Sequence, residues 1–313
     1  MAVASEATRR EYAARMNRVV DHIQTHLAEP LDLERLAGVA CFSPFHFHRL
    51  FRAWMGETLQ DFVLRLRLER AAQLLVFNRL ETISEIALAC GLSSSSSFAR
   101  AFKKGFGVSA SQWRNRKNCQ SNRKPWEASG TAALGFSKLP GPMVRQENPM
   151  TQLPFDVHVR RLAPATLAYL RHVGPYKGDT ALFRRLFEQL FAWAGPRGLM
   201  TSDTSYLSLF QDNPNLTPAA KQRMEVALTV PAGTPPAGEI GIQALEGSLY
   251  ATARTRVRIE DYAAQWDLLV ADWLPASGYQ PDHRPAMEFY LNNPETDPEG
   301  KYHVEICLPV RPL

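Results

Sequence analysis

The sequence predicts two domains of different class. The N-terminal part is all-α with a double helix-turn-helix, and the C-terminal part is α+β, built from two pseudo-symmetric strand-strand-helix-strand-strand repeats. Three observations predict this. Leu33–Thr58 and Ile83–Arg114 share one layout, a short apolar-periodic helix, a break and a second helix with one apolar and one basic side. Further on, the chain repeats itself at a spacing of 80 residues. Charge divides as well. Residues 1–124 hold 19 Lys+Arg against 11 Asp+Glu, a net of +8, while residues 125–313 hold 17 against 20, a net of −3.

The first thirty residues place Met16, Val19, Val20, Ile23 and Leu27 at helical spacing in a polar context, so they read as an amphipathic helix and not a signal peptide. In the first helix-turn-helix, Leu33, Leu36, Ala37 and Ala40 face the core, Ser43 offers a cap and Pro44 suits the first helical turn. Phe47, Leu50 and Phe51 then form a buried stripe, leaving Phe45, His48, Arg49 and Arg52 outward at i, i+3, i+4 and i+7. In the second copy Ile83, Ile86, Ala87 and Cys90 precede a turn at Gly91, and a serine run supplies the cap. Phe98, Ala101 and Phe102 point inward there, while Ser95, Ser96, Ala99, Arg100 and Lys103 point out. Arginine pairs bidentately with guanine, and serine bonds many acceptors. One such face is ordinary on any helical domain. Two copies, both with arginine outward, point to double-stranded DNA as a partner, and the basic charge suits its phosphates.

Residues from about Tyr12 to Lys117 resemble the DNA-binding domain of the AraC family of transcription regulators. The motifs are I-x-x-I-A, G-L-S, F-x-R-x-F-K-K, F-G and the closing Trp113-Arg114, with Ala110 where the family usually has proline. The resemblance implies a linking helix at Leu59–Leu75 that holds the recognition helices about one DNA turn, roughly 34 Å, apart. Promoter DNA is the implied site, and RNA polymerase a further candidate partner.

Other classes are disfavoured. No apolar run approaches the roughly 20 residues that span a bilayer. Cys41, Cys90, Cys119 and Cys307 are scattered without a C-x-x-C pair, so no metal site or disulfide is expected and a cytoplasmic location is. There is no dinucleotide fingerprint, phosphate loop or nucleophile elbow, hence no cofactor and no catalytic residue is assigned. The expected domains are residues 1–117 and 155–313, joined by a Ser-, Asn-, Gly- and Pro-rich linker at 118–154.

In the C-terminal part the repeat sets Trp193 on Trp273, Gly198 on Gly278, Phe210 on Tyr290 and Pro214 on Pro294. Alternation predicts strands at Val157–Arg161, Thr166–Val173, Tyr206–Gln211 and Glu225–Val230. The second copy has them at Ile240–Ala244, Leu249–Arg256, Ala286–Asn292 and Tyr302–Pro309. Helices are expected at Thr180–Ala194 and Ile259–Leu274. In the strand AMEFYL, Met287, Phe289 and Leu291 form a core face, which puts Glu288 and Tyr290 on the other. The repeat partner of Glu288 is Ser208, so the carboxylate is not a framework requirement. On alternation alone it is a solvent-facing acid beside a tyrosine.

Phe155–Val310 resembles the GyrI-like family of small-molecule-binding domains, most specifically in W-L-P-x-S-G-Y (Trp273–Tyr279) and P-x-x-E-F-Y (Pro285–Tyr290). The resemblance implies that Glu288 lies at the floor of an aromatic pocket that meets a hydrophobic or cationic effector. The candidate walls are Tyr169, Tyr206, Tyr250, Trp266 and Tyr290, whereas Trp193 and Trp273, matched between the repeats, read as structural. The combined expectation is a ligand-controlled transcription regulator. Two alternatives stay open: a hydrolase using Glu288 with Tyr290 or Tyr250, as in some GyrI-like proteins, and a DNA-binding protein whose back domain docks other proteins without a ligand.

Overall fold

The computed structural model describes residues 6–115 and 153–312, except 79, 215 and 283. The linker expected at 118–154 lies, up to residue 152, outside the described residues. The chain divides into two compact units, one helical and one strand-bearing.

The helical unit comprises α1 (Glu6–Thr25), α2 (Leu33–Val39), α3 (Pro44–Met55), α4 (Leu59–Phe77), α5 (Ile83–Ala89), α6 (Ser95–Phe106) and α7 (Ala110–Arg114). Side-chain caps start most of them. Asp32, Thr58, Thr82, Ser94 and Ser109 each accept the backbone N–H three residues on. Thr82 with Glu85, and Ser109 with Gln112, close full capping boxes. Ser43 occupies the cap position of α3 but makes no capping bond, contrary to expectation. Pro44 follows it and has no N–H, so one unpaired donor is already gone. Met16, Val19, Val20 and Ile23 of α1 pack with Leu36, Phe47, Phe51 and Phe62 in one buried cluster.

Both helix-turn-helix breaks use a left-handed residue. It is Cys41 at φ 53° in the first and Gly91 at φ 77° in the second. A Cβ on Gly91 would lie 2.8 Å from the Ala28 carbonyl oxygen, so backbone must move to admit one. Gly91→Ala is therefore expected to cost about 1–3 kcal/mol of stability, combining positive φ with this clash. Cys41→Gly should stay within about 1 kcal/mol, because relief of the left-handed strain offsets the added chain entropy. Denaturant midpoints of the two variants check this, and equal effects would show that the Ala28 contact is of no consequence.

The strand-bearing unit runs β1 (Val157–Arg161), β2 (Ala165–Val173), α8 (Thr180–Ala194), β3 (Tyr206–Phe210), β4 (Arg223–Val230), β5 (Gly241–Leu245), β6 (Leu249–Val257), α9 (Tyr262–Asp267), α10 (Leu274–Ala276), β7 (Tyr279–Pro281), β8 (Ala286–Tyr290) and β9 (Tyr302–Pro312). The strands form one sheet in the order β1-β6-β9-β8-β3-β4-β2-β5, with β7 added on β9. Three residues separate β1 from β2, yet six strand spacings lie between them in the sheet order, and β5 and β6 stand in the same relation. A flat sheet would need about 29 Å there, while three residues reach about 15 Å. The sheet must roll. The two turns accordingly meet, the Leu162 N–H donating to the Ser248 carbonyl at 2.8 Å.

Rolling gives the sheet an inner face, where Tyr169, Leu207, Leu209, Ala227, Tyr250, Met287 and Cys307 pack together. The opposite face carries Tyr206, Ser208, Phe210, Glu288 and Tyr290 by cross-strand register. Leu182, Leu186 and Leu190 of α8 are buried, and α8 covers that face through Phe187 on Tyr290 and Phe191 on Tyr206.

Several expectations need correction. The helix foreseen at Ile259–Leu274 is broken into a 3-10 turn (Ile259–Asp261), α9, a π-helical turn (Leu268–Trp273) and α10. Apolar spacing of three to four residues does not separate these windings. The strand β7 was not expected, since three residues are too few to show alternation, and β9 runs three residues further than foreseen to pair with it. The strand β8 ends at Tyr290, and Leu291, expected in the core, is 51% exposed. The strand β5 is shifted one residue from its expected bounds.

Candidate functional sites

The outward faces of α3 and α6 are held by aromatic anchors on their inward sides. Phe47 meets Phe51 at 5.7 Å between ring centroids, and Phe51 meets Phe62 of α4 at 5.4 Å. In the second copy Phe98 and Phe102 stand 5.3 Å apart, Phe102 reaches Trp113 at 5.9 Å, and the Trp113 Nε1 donates to the Ala72 carbonyl of α4 at 3.0 Å. The anchoring leaves His48, Arg49, Arg52, Ser95, Ser96, Arg100 and Lys103 exposed, as expected. Of Phe45, only its place on α3 is described. Leu50 and Ala101, placed in the buried stripes, are half-buried.

Helix α4 spans 19 residues, about 28 Å at 1.5 Å per residue. It is pinned by a buried ion cluster in which Arg65 bonds Glu57 at 2.7 Å and Glu69 at 3.3 Å. Arg67 ties it to the end of the α1 segment through the carbonyls of Leu27 (2.9 Å) and Glu29 (2.6 Å). Both recognition-type helices thus rest on one rigid rod.

In the strand-bearing unit Glu288 sits mid-strand on the helix-covered face, between Ser208 on β3 and Ile306 on β9. It is 4% exposed. Trp266 Nε1 donates to its Oε1 at 2.5 Å, and the hydroxyls of Tyr262 and Tyr290 donate to its Oε2 at 3.1 and 3.3 Å. Ser208 Oγ lies 2.9 Å from the Tyr290 hydroxyl and extends the chain of hydrogen bonds. Further rings close around these: Phe187 on Tyr290, Phe191 on Tyr206, and Tyr176 and Trp266 on Phe210.

What sets this acid apart is the absence of a cation. Among the described residues the other buried carboxylates all meet arginine: Glu57 and Glu69 with Arg65, Glu225 with Arg171, Asp212 with Arg223, Glu305 with Arg160 and Arg254. Glu288 has neutral donors alone. Burial consequently pushes its pKa up to about 7, and the bonds from Trp266, Tyr262 and Tyr290 offset part of that rise. The Tyr262 and Tyr290 hydroxyls are raised too, by burial first and by the nearby carboxylate second.

Of the expected pocket residues, Trp266, Tyr206 and Tyr290 come together with Glu288. Tyr169 and Tyr250 do not. They lie on the inner face of the rolled sheet, packed with Met287, under the guanidinium groups of Arg171 and Arg284 respectively. An aromatic residue on a strand shows its type in the sequence, but its face follows from register. Trp193 and Trp273 take no part in these ring contacts with Glu288, Trp193 lying beneath Arg197 and Trp273 stacking on Tyr279. Sequence reasoning missed Tyr262 and the pair Phe187 and Phe191. Each had a readable signal, since Tyr262 precedes Trp266 by one helical turn and Phe187 and Phe191 share an i, i+4 face.

A helical unit with paired outward basic helices, and a rolled sheet holding an unneutralised buried acid, define a DNA-binding regulator with a small-molecule-binding domain. Comparison with known proteins bears on both halves. Residues 155–311 match the GyrI-like small molecule binding domain and residues 36–116 match a helix-turn-helix domain. The chain belongs to the GyrI-like family, and its helical unit is of AraC type. A DNA gyrase inhibitor of Edwardsiella ictaluri is 37% identical over 160 residues, 50% of this chain and 98% of that protein. Its counterpart in Escherichia coli K12 is 32% identical over 160 residues with the same coverage. A solved AraC-type regulator from Chromobacterium violaceum shares 28% identity at a TM-score of 0.32, covering 34% of this chain and 95% of that one. No helix among the described residues is long and apolar enough to cross a membrane.

The raised pKa of Glu288 has a stability consequence. Burial pushes its carboxyl from the ordinary value of 4.5 up to about 7, so the folded state holds the proton more tightly. The contribution of Glu288 to stability is fully present below pH 4.5, is lost as pH rises towards 7 and is flat above, a loss of about 3 kcal/mol. Glu288→Gln is expected to remove this slope, leaving the variant near wild type at pH 5 and more stable at pH 8. Urea unfolding at the two pH values decides it. A variant less stable than wild type at pH 8 would mean the ionised form is well solvated.

Proposed function

We propose that this chain is a transcription regulator whose hold on promoter DNA is controlled by a lipophilic organic cation bound at Glu288. The observation that carries the reading is the buried carboxylate with three neutral donors and, among the described residues, no basic partner. An ionised acid in such a place is destabilising until a cation arrives. Aromatic faces nearby add cation–π attraction and exclude water. The α3 face (Phe45, His48, Arg49, Arg52) and the α6 face (Ser95, Ser96, Arg100, Lys103) would enter successive major grooves, with α4 fixing their spacing. RNA polymerase is the downstream partner of such a regulator. Control requires the cation to bind one state of the chain more tightly than another, the two differing in their affinity for DNA.

Two measurements test this. Affinity of the full chain for a lipophilic cation should rise about tenfold per pH unit up to pH 7 and then level off, because the cation needs the ionised acid. Glu288→Gln should weaken that cation by about 1–3 kcal/mol, flatten the pH profile and leave a neutral ligand of similar size unaffected. Cation binding by the variant at wild-type strength would move the ligand site elsewhere. On the DNA side, a site is first selected from random fragments. Arg49→Ala and Arg100→Ala should then each cost about 1–3 kcal/mol on that site and less on random DNA, at fixed salt. Equal losses on both would reduce them to phosphate contacts.

A further inference from the structure

Resting on the cationic-ligand reading, we infer that the Glu288 site is built for a tertiary ammonium, a cation with a single N–H, in preference to quaternary, primary or guanidinium cations. The warrant is a count of lone pairs. A carboxylate offers about four acceptor positions, two on each oxygen. Oε2 of Glu288 takes the hydroxyls of Tyr262 and Tyr290, which fills it. Oε1 takes the indole N–H of Trp266 and, among the described residues, no other donor, so one position is left. The strand neighbours add nothing strong: Ser208 Oγ is engaged with Tyr290, and Ile306 has no polar side-chain atom. The phenol oxygen of Tyr262 remains as a neutral and weaker acceptor.

A ligand entering this place exchanges water for what the walls provide. One N–H on a tertiary ammonium finds one charged acceptor, and its three carbon substituents meet rings: Phe187, Phe191, Tyr206 and Phe210 on the same side of the sheet. A secondary ammonium brings a second N–H that has the Tyr262 oxygen at best. A primary ammonium or a guanidinium brings more donors than the site can accept, and a buried donor without a partner is penalised in full. A quaternary ammonium keeps the charge but leaves the last position on Oε1 empty, forgoing the charge-assisted bond. The order expected is therefore tertiary, then secondary, then primary, with a drop from tertiary to quaternary. That drop runs against apolar bulk, which grows with each added methyl.

The test uses the full chain at pH 8, where Glu288 is ionised, titrated calorimetrically with one tricyclic body bearing four head groups. These are imipramine, its desmethyl and didesmethyl forms, and its N-methyl quaternary salt. Imipramine should bind at least tenfold tighter than both the quaternary and the primary members. Trp266→Phe, which opens a second position on Oε1, should narrow the gap between imipramine and the desmethyl form. A steady rise from primary to quaternary, equal affinity across the series, or a gap unchanged by Trp266→Phe each overturns the inference while leaving a cation site in place. If Glu288→Gln binds the whole series as wild type does, or no member binds wild type, the cationic reading itself falls. The failure of one is thus told apart from the failure of the other.

Discussion

Two turns of three residues, one after β1 and one after β5, join strands that lie six spacings apart in the sheet. The strand-bearing unit depends on that constraint, because chain so short can be accommodated only if the sheet curls until the turns meet. Curling makes the two faces unequal. The inner face closes on itself and becomes a core of Tyr169, Leu207, Leu209, Tyr250 and Met287. The outer face needs separate cover, which α8 provides with its buried Leu182, Leu186 and Leu190, while α8 and α9 add the rings around Glu288. Glu288 alternates with Met287 on β8 and so falls under that cover, 4% exposed and bonded by Trp266, Tyr262 and Tyr290.

The same roll explains why the acid stands alone. Arginines of this unit pair with acids in the ion pairs that accompany the inner face, Arg171 with Glu225 and both Arg160 and Arg254 with Glu305. None of these side chains projects to the side where Glu288 lies, since cross-strand partners share a face. The pseudo-twofold gives the position opposite Glu288 to Ser208, which is neutral and bonds Tyr290. One half of the repeat thus carries the charge, and the other supports the hydroxyl chain that holds it.

In the helical unit the corresponding constraint is α4. Both outward-facing helices are tied to it, α3 through the contact of Phe51 with Phe62, and α6 through Phe102 on Trp113 of α7, whose indole N–H donates to the Ala72 carbonyl. The buried Arg65 cluster and the Arg67 bonds to Leu27 and Glu29 fix the rod against its surroundings. A spacing set by a rod and not by a loop is what reading two successive grooves requires.

Much of this was legible in the residues. Helix periodicity marked α3 and α6 and sorted Phe47, Phe51, Phe98 and Phe102 inward from Arg49 and Arg100 outward, because a helix fixes its own faces over a few residues, whereas α4 was expected only from the family resemblance. The 80-residue repeat foretold the four-strand halves, and strand alternation separated Glu288 from Met287. What the sequence could not determine were relations between segments distant in the chain. Whether Tyr169 and Tyr250 share a face with Glu288 depends on strand order and register, which are set by the closure of the sheet. That Leu291 is exposed depends on where β8 stops pairing. That Glu288 meets Trp266 and Tyr262 and, among the described residues, no arginine depends on which helix lies over it. Local periodicity reports the faces of an element, while the partner of each face is chosen by packing that the chain reaches only once it is folded.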